Sequence, residues 1–321
     1  MDVCYLLIQG TVPNHEELAD FQSILTERAE LPEAVSNIIH QTPLHVDPSE
    51  FIRSVCGLLP LFDSQAKSSA EDSVLWQAHK LLMHIPMILI ERQRLVEGWP
   101  EASFDPDMHW SVNLAQLLTN RTPTPLGERA LEVLLLSRAE LGYDASAHIA
   151  RLVISRGGNL YSAISTAMNS IPIDNWQHDR SMAMDVLAEG NRYSTEKWAR
   201  NLSPSQARKI GFGSEFEKES VRLQLFNTFC HYLAQENDLV AMEKGARRAE
   251  KIIFELTGLS PHSDWAALRI LYYLGFDIEL NQPLLLLSRI PGWTAHVLEQ
   301  LQQGTLVPAR LEYEGPIHQA D

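Results

Sequence analysis

The sequence predicts an all-α protein. Three observations carry that expectation. Apolar residues recur at helical spacing along most of the 321 residues, period-2 alternation is nearly absent, and helix-starting residues stand before several of the periodic runs. Only the tail Leu306–Tyr313 reads as a short strand, and no internal repeat marks a solenoid.

The elements follow in order. Asn14 can cap a helix whose first turn carries Glu16 and Glu17, and Leu18, Phe21, Ile24 and Leu25 form its apolar face until Leu31-Pro32 stops the run. Pro48-Ser49-Glu50-Phe51 opens a second helix, with Ile52, Val55, Cys56 and Leu59 on one side and Gly57 as a weak point. Helical runs are then expected over Val74–Leu95, Trp110–Leu118, Leu126–Leu141, His148–Ser155, Leu160–Ser170 and Met182–Leu187. Others cover Thr195–Leu202, Glu217–Gln235, Leu239–Thr257, Asp264–Leu274 and Trp293–Gln303. Gly157-Gly158-Asn159 and Pro172-Ile173-Asp174-Asn175 are turn clusters. The most polar stretch, Asp174 to Glu219, reads as a boundary zone into a smaller helical unit.

Composition narrows the function classes. A hydrophobic fraction of 45% supports a large core, and a formal net charge of -15 argues against sequence-independent nucleic-acid binding and against a polybasic membrane anchor. Three cysteines, Cys4, Cys56 and Cys230, lack metal-like spacing, which fits a reducing compartment better than a disulfide framework. The start, MDVCYLLIQG, has no basic region ahead of its apolar residues and does not read as a secretion signal. The longest apolar stretches, Ile85–Ile90 and Leu284–Leu287, are too short to span a bilayer. A cytoplasmic protein is expected.

From residue chemistry alone the candidates are few. Gly211-x-Gly213 beside Arg208 and Lys209 lacks the third glycine and the preceding strand of a dinucleotide fingerprint, and reads as a turn. In His262-Ser263-Asp264, Asp264 suits a helix N-cap, with an acid/base pairing to His262 as the sharper alternative. His79 and His84 share a helix at a spacing of five, so they do not form a metal pair, and no metal site is expected. Trp176-Gln177-His178-Asp179-Arg180 reads as a polar surface loop unless it faces a cleft. Met168, Met182 and Met184 read as core filler, and His296 as a core or dimer-contact histidine.

One C-terminal stretch is more specific. Ser288-Arg289-Ile290-Pro291-Gly292-Trp293-Thr294-Ala295-His296-Val297-Leu298 resembles the terminal helix region of citrate and 2-methylcitrate synthases. The tail LVPARLEYEGP, the start Tyr5-Leu6-Leu7-Ile8-Gln9-Gly10, Leu81-Leu82-x-x-Ile85-Pro86 and Asn159-Leu160-Tyr161-Ser162-Ala163 resemble the same family in order. The resemblance runs over nearly the entire chain, which lacks the segment that family members carry before the Tyr-Leu-Leu stretch. It implies a two-lobe helical homodimer, with residues 1–173 and 275–321 in a large unit and 174–274 in a small one. It also implies condensation of an acyl-CoA with a 2-oxo acid. An Asp removes the thioester's α-proton, one His stabilises the enol, a second His protonates the oxo group, and arginines with a further His hold carboxylates.

Carried over by position, the family's residues survive unevenly. Asp264 stands at the catalytic Asp. The enol-stabilising His falls on Trp176, or on His178 if the loop shifts by two. The second catalytic His, after Gly-Phe-Gly213, is Ser214, and the following residue, basic in bacterial enzymes, is Glu215. Leu141 occupies the substrate-binding His position and Gly142 the neighbouring Glu. Arg289 is kept, the arginine after Gly-Phe-Gly can only be Arg222 across a gap, and the partner subunit's tail arginine falls on Pro308 with Arg310 nearby.

A positioned general acid contributes about 10²–10⁴ in rate. A donor aimed at an oxyanion contributes about 10²–10³. Loss of both His and of the carboxylate cage therefore predicts no ordinary citrate synthesis. Two readings follow. One is a repurposed enzyme doing enolate chemistry (condensation, its reverse or isomerisation) on an acyl-CoA or related acyl substrate, with Asp264 as base and no tightly bound cofactor. The other is a catalytically silent paralogue acting as a regulatory or scaffold subunit. A homodimer is expected in either case, and a third possibility is a heteromer in which an intact relative supplies the missing residues.

Overall fold

The computed structural model describes residues 1–68, 70–171, 176–213, 221–305 and 307, with backbone alone at Glu71 and Trp176. Among them the chain is all α: sixteen α-helices, two short 3-10 turns and one isolated bridge, Phe212 to Pro261. In order they are α1 (Asp2–Gln9), α2 (His15–Glu27), α3 (Glu33–Gln41), α4 (Pro48–Leu58), α5 (Glu71–Glu97), α6 (Trp110–Thr119), α7 (Pro125–Ala139) and α8 (Ala145–Ser155). Then come α9 (Leu160–Ser170), α10 (Trp176–Ala188), α11 (Arg192–Asn201), α12 (Pro204–Ile210), α13 (Val221–Glu236), α14 (Val240–Thr257), α15 (Ser263–Tyr273) and α16 (Asn281–Gln303).

The starts are set by side chains that satisfy the first unpaired amides. Asn14 forms a complete capping box with Glu17, its Oδ1 accepting from the amides of Glu16 and Glu17 at 2.9 Å each. Asp47, Thr124, Asn159 and Ser203 cap α4, α7, α9 and α12, three of them followed by Pro in the first turn. Helices α1, α3 and α12 escape a periodicity reading because each has fewer than ten residues and presents only one or two buried positions. Gly57 is explained by packing, since a Cβ there would lie 3.3 Å from Ser165 Oγ on α9. The expected strand at Leu306–Tyr313 lies, apart from Val307, outside the described residues.

Helix α16 is the axis of the packing. It touches α1, α4, α5, α7, α8 and α9, and most of its length is buried from Asn281 to Gln300. The expectation of a helix starting at Gly292-Trp293 is corrected: these residues sit in the middle of α16, which runs through Pro291. Gly292 has a sharper role than a start signal. A Cβ at this position would collide with the carbonyl oxygen of Ala139, so only glycine lets α16 lie against the last turn of α7.

Around the other helices, α13 lies on α15, α14 and α7, and α14 lies on α11 and α10. Arg269 of α15 is fully buried here. Its Nη1 donates to both oxygens of Glu243 at 2.7 Å, and its Nη2 donates to Glu250 at 3.1 Å and to Asn227 at 3.0 Å. Tyr273 Oη and Trp265 Nε1 complete the carboxylates' partners at 2.9 Å each. Burial opposes the Arg269 charge, but the groups around it, Cys230, Glu250 and Glu243, outweigh burial and hold it firmly protonated.

His79 and His84, both on α5, are buried, and burial pushes each down to about 4, with Arg28 adding to the effect at His79 and Lys80 at His84. Neutral in the folded protein, they take up protons on unfolding at any pH between about 4 and the ordinary histidine value near 6.5. The unfolded chain then binds more protons, so stability is complete above that window and falls as pH drops through it. Urea midpoints are expected to decline between pH 7 and pH 5 at constant salt, and the His79→Gln/His84→Gln double variant to decline less steeply. Parallel slopes would overturn the assignment. For the helix contact, Gly292→Ala is expected to cost at least about 2 kcal/mol in urea unfolding, because backbone and not a yielding side chain meets the new methyl.

Candidate functional site

The segment joining α7 to α8 gathers the polar groups. Arg138, in the last turn of α7, forms an ion pair through Nη2 with Asp264 Oδ1 and lies 3.4 Å from Ser263 Oγ. Six residues later Asp144 caps α8, its Oδ1 accepting from the Ala147 amide at 2.8 Å and from Ser146 Oγ at 2.7 Å. Its other oxygen accepts from Arg289 Nη2 at 2.8 Å. Trp293, one turn along α16 from Arg289, donates from Nε1 to Ser146 Oγ at 2.9 Å. Asp264 and Arg289, far apart in sequence, are thus both tied to residues 138–146.

Asp264 stands in the first turn of α15, and the expected N-cap assignment is corrected: His262 is the cap, its Nδ1 accepting from the Asp264 amide at 3.1 Å. Asp264 Oδ2 lies 3.6 Å from the same Nδ1. A nitrogen that accepts from an amide carries no proton, so the backbone bond, not an ion pair, describes His262 here. The turn before α15 is pinned to the end of α12. Gly211 has φ +110, and a Cβ on it would meet the Trp265 amide nitrogen at 2.5 Å. His262 N donates to Gly211 O at 3.0 Å, and Gly213 N donates to Ser260 O at 2.8 Å. Gly213 therefore spends its amide within the fold and offers no N–H to a ligand.

Arg289 is the contrasting group. It is 4% exposed, yet its Nε and Nη1 have no hydrogen-bond partner among the described residues. Burial lowers its proton affinity, Asp144 and Glu140 oppose that, and the charge of Arg222 adds to the depression. Arg222, in the first turn of α13, is thus close enough to Arg289 for their charges to be felt. Two neighbouring guanidinium groups, one with two buried donors unsatisfied among the described residues, have the chemistry to take an anion, and a guanidinium fork matches a planar carboxylate.

The remaining sequence candidates are placed as follows. Trp176–Arg180 is not a surface loop but the first turn of α10. Asp179 and Arg180 turn inward, Asp179 to Lys209 Nζ at 3.4 Å and Arg180 Nε to the Lys209 carbonyl at 3.2 Å, whereas His178 is exposed. The helix forms because inward partners exist for its polar residues, which a local reading of polarity cannot see. The Trp176 side chain, Ser214, Glu215 and Arg310 lie outside the described residues. Leu141 is exposed and Gly142 adopts φ +79 at the corner. His296 bonds Glu140 Oε1 from Nε2 at 3.3 Å.

The sequence singles out neither Arg138 nor Asp144. Asp144, ahead of Ala-Ser-Ala, carried a legible capping signal; nothing local pairs Arg138 with a residue 126 positions on. The sequence also predicts no metal site, and one cluster with suitable reach exists among the described residues. Ligand atoms of His109, Glu128 and Glu132 lie within 4.8 Å of one another. Glu128 and Glu132 are one turn apart on α7, while His109 precedes α6, a pairing only the fold creates. His109 is largely exposed, and Arg129 and Ser111 already engage Glu132 at 3.3 and 3.4 Å.

Comparison with known proteins agrees with this architecture. The family model described as citrate synthase, C-terminal domain, matches residues 1–310. The 2-methylcitrate synthase 2 of Corynebacterium glutamicum is 26% identical, with 98% of this chain and 84% of the relative covered. Citrate synthase 2 of Bacillus subtilis is also 26% identical, covering 98% and 86%. Among solved structures, the ternary complex of Thermoplasma acidophilum citrate synthase with carboxymethyl coenzyme A and oxaloacetate superimposes with a TM-score of 0.84 at 21% identity, covering 100% of this chain and 86% of that one. The Pyrobaculum aerophilum citrate synthase gives 0.81 at 23%, covering 100% and 83%. An all-helical fold with this helix order and a family match spanning nearly its whole length make this chain a member of the citrate synthase family.

Proposed function

We propose that this chain is a repurposed member of the family that binds a carboxylate-bearing acyl substrate, an acyl-CoA thioester or a close analogue, and performs enolate chemistry with Asp264 as base, not ordinary citrate synthesis. The observation that carries the reading is Arg289. Leaving two guanidinium donors buried and unpaired costs about 1–3 kcal/mol or more, and a purely structural role gives no return for that cost. A carboxylate ligand supplies the missing acceptors, with Arg222 adding charge.

Asp264 has the state a base needs. Its partner Arg138 favours the carboxylate, so no proton has to be lost before the reaction. To accept the α-proton, the carboxylate must loosen its hold on Arg138, and an anionic substrate group provides Arg138 with a replacement partner. Proton abstraction would then be coupled to substrate arrival. The family's enol-stabilising histidine falls on Trp176, or on His178 if the loop shifts by two, and its oxo-protonating histidine on Ser214, so on this reading the acceptor half-reaction differs from addition to oxaloacetate.

A second reading, a catalytically silent paralogue acting as a regulatory or scaffold subunit, has one observation in its favour. Both Asp264 and Arg289 already hold internal partners, Arg138 and Asp144. As a dimer or beside an intact relative, such a protein needs only the fold.

Two measurements separate the readings. Succinyl-CoA, a thioester whose acyl group also bears a carboxylate, is expected at 100 times its Kd to stabilise the protein by about 2.7 kcal/mol, and to do so only at higher concentration in Arg289→Gln. In D2O the thioester's α-protons are expected to exchange by NMR, at a rate lowered about 10²-fold or more in Asp264→Asn. Exchange that Asp264→Asn leaves intact sinks the base assignment, and absence of both stabilisation and exchange favours the silent paralogue.

A further inference from the structure

The cations of this acidic chain are unevenly spread. Between α13 and the first half of α14 lies a cleft of about 460 Å³ lined by Lys244, Arg247, Arg248 and Lys251, with His231 across from them and Glu243 as its carboxylate. Positions 244, 247, 248 and 251 fall on one face of α14 by helical spacing. Four basic residues thus meet one acidic residue here, in a protein with 26 basic and 41 acidic residues.

The cations are only partly neutralised in place. Arg247 pairs with Glu243 at 3.0 Å and Glu250 at 3.3 Å, but both carboxylates are shared with the fully buried Arg269. Arg248 has Glu196 at 3.6 Å, a loose contact. Lys244 and Lys251 are exposed and make no ion pair among the described residues. A concave surface focuses the field of such charges and raises the local concentration of anions.

We propose that this cleft is a binding site for an oligophosphate group, the phosphoanhydride chain of a nucleotide-like ligand. Three features select that class. The volume falls within the range of small-molecule sites. Lysines at the two ends with arginines between them match several phosphates in a row, each taken as a point charge or through a guanidinium fork. Nucleic acid is disfavoured because the positive charge is confined to one cleft on a chain of net charge -15. The site is separate from Arg289 and Asp264, with the buried Glu243–Arg269–Glu250 layer between the cleft and Trp265. The proposal therefore does not depend on the reading of that centre.

Isothermal titration calorimetry of the full chain with inorganic triphosphate, at fixed ionic strength, tests it. Saturable binding is expected, weakened about tenfold or more in Lys244→Gln/Lys251→Gln, whose exposed positions leave the fold intact. Binding is expected unchanged in Lys67→Gln, an exposed lysine elsewhere. Competition by ATP would identify a free nucleotide as the source of the phosphates, and competition by CoA the diphosphate of that cofactor; both support the site. No binding above the matched-salt control overturns the proposal. So does equal binding by the double-lysine variant.

Discussion

The candidate site depends on one close approach, that of α16 to the carbonyl of Ala139 at the end of α7, which Gly292 alone permits. Arg138 is the residue before that carbonyl and Glu140 the one after, while Arg289 lies three residues before Gly292 on the adjoining turn of α16. Fixing this contact fixes the distance between two guanidinium groups borne by different helices. The corner from α7 to α8 then has little freedom. Asp144 must cap α8, and capping turns its second oxygen toward Arg289. Asp264 reaches Arg138 because Gly211 lets the end of α12 pass against Trp265, holding the start of α15 in place. Two glycines without chemistry of their own set the geometry of the charged groups.

Much of the fold was legible because helices announce themselves locally. Asn14, Pro48 and the apolar spacing of residues 74–95 specify their elements without reference to the rest of the chain. The short helices α1, α3 and α12 were illegible for the complementary reason: with so few residues their stability comes from packing, not from pattern. At the site, Asp264 and Arg289 were visible through motif resemblance, but their partners were not. Arg138–Asp264 and Arg289–Asp144 join residues 126 and 145 positions apart, and no periodicity encodes such a pairing. The first turn of α10 failed in the opposite direction. Its polarity reads as surface, yet Asp179 and Arg180 are buried because α12 brings Lys209 to them.

Two buried arginines show how differently one fold can surround a buried charge. Arg269 and Arg289 are 0% and 4% exposed, so each has paid a similar desolvation cost. Arg269 meets Glu243, Glu250 and Asn227 with four bonds at 2.7 to 3.1 Å, and its surroundings hold it charged. Arg289 has one carboxylate, a long contact to Ser146 and a second cation, Arg222, in its neighbourhood; burial and that cation depress its proton affinity. Had stability alone governed the position, an apolar residue in place of Arg289 would spare the unpaired donors and the repulsion. The same helix that buries Arg289 buries Trp293 at 0% exposure, so the environment does accept apolar groups. Arg53, 3% exposed, likewise leaves Nε and Nη2 without partners among the described residues, so what sets Arg289 apart is the second cation, Arg222, whose charge it feels, and its place on the same α7–α8 corner that holds Arg138 and Asp264.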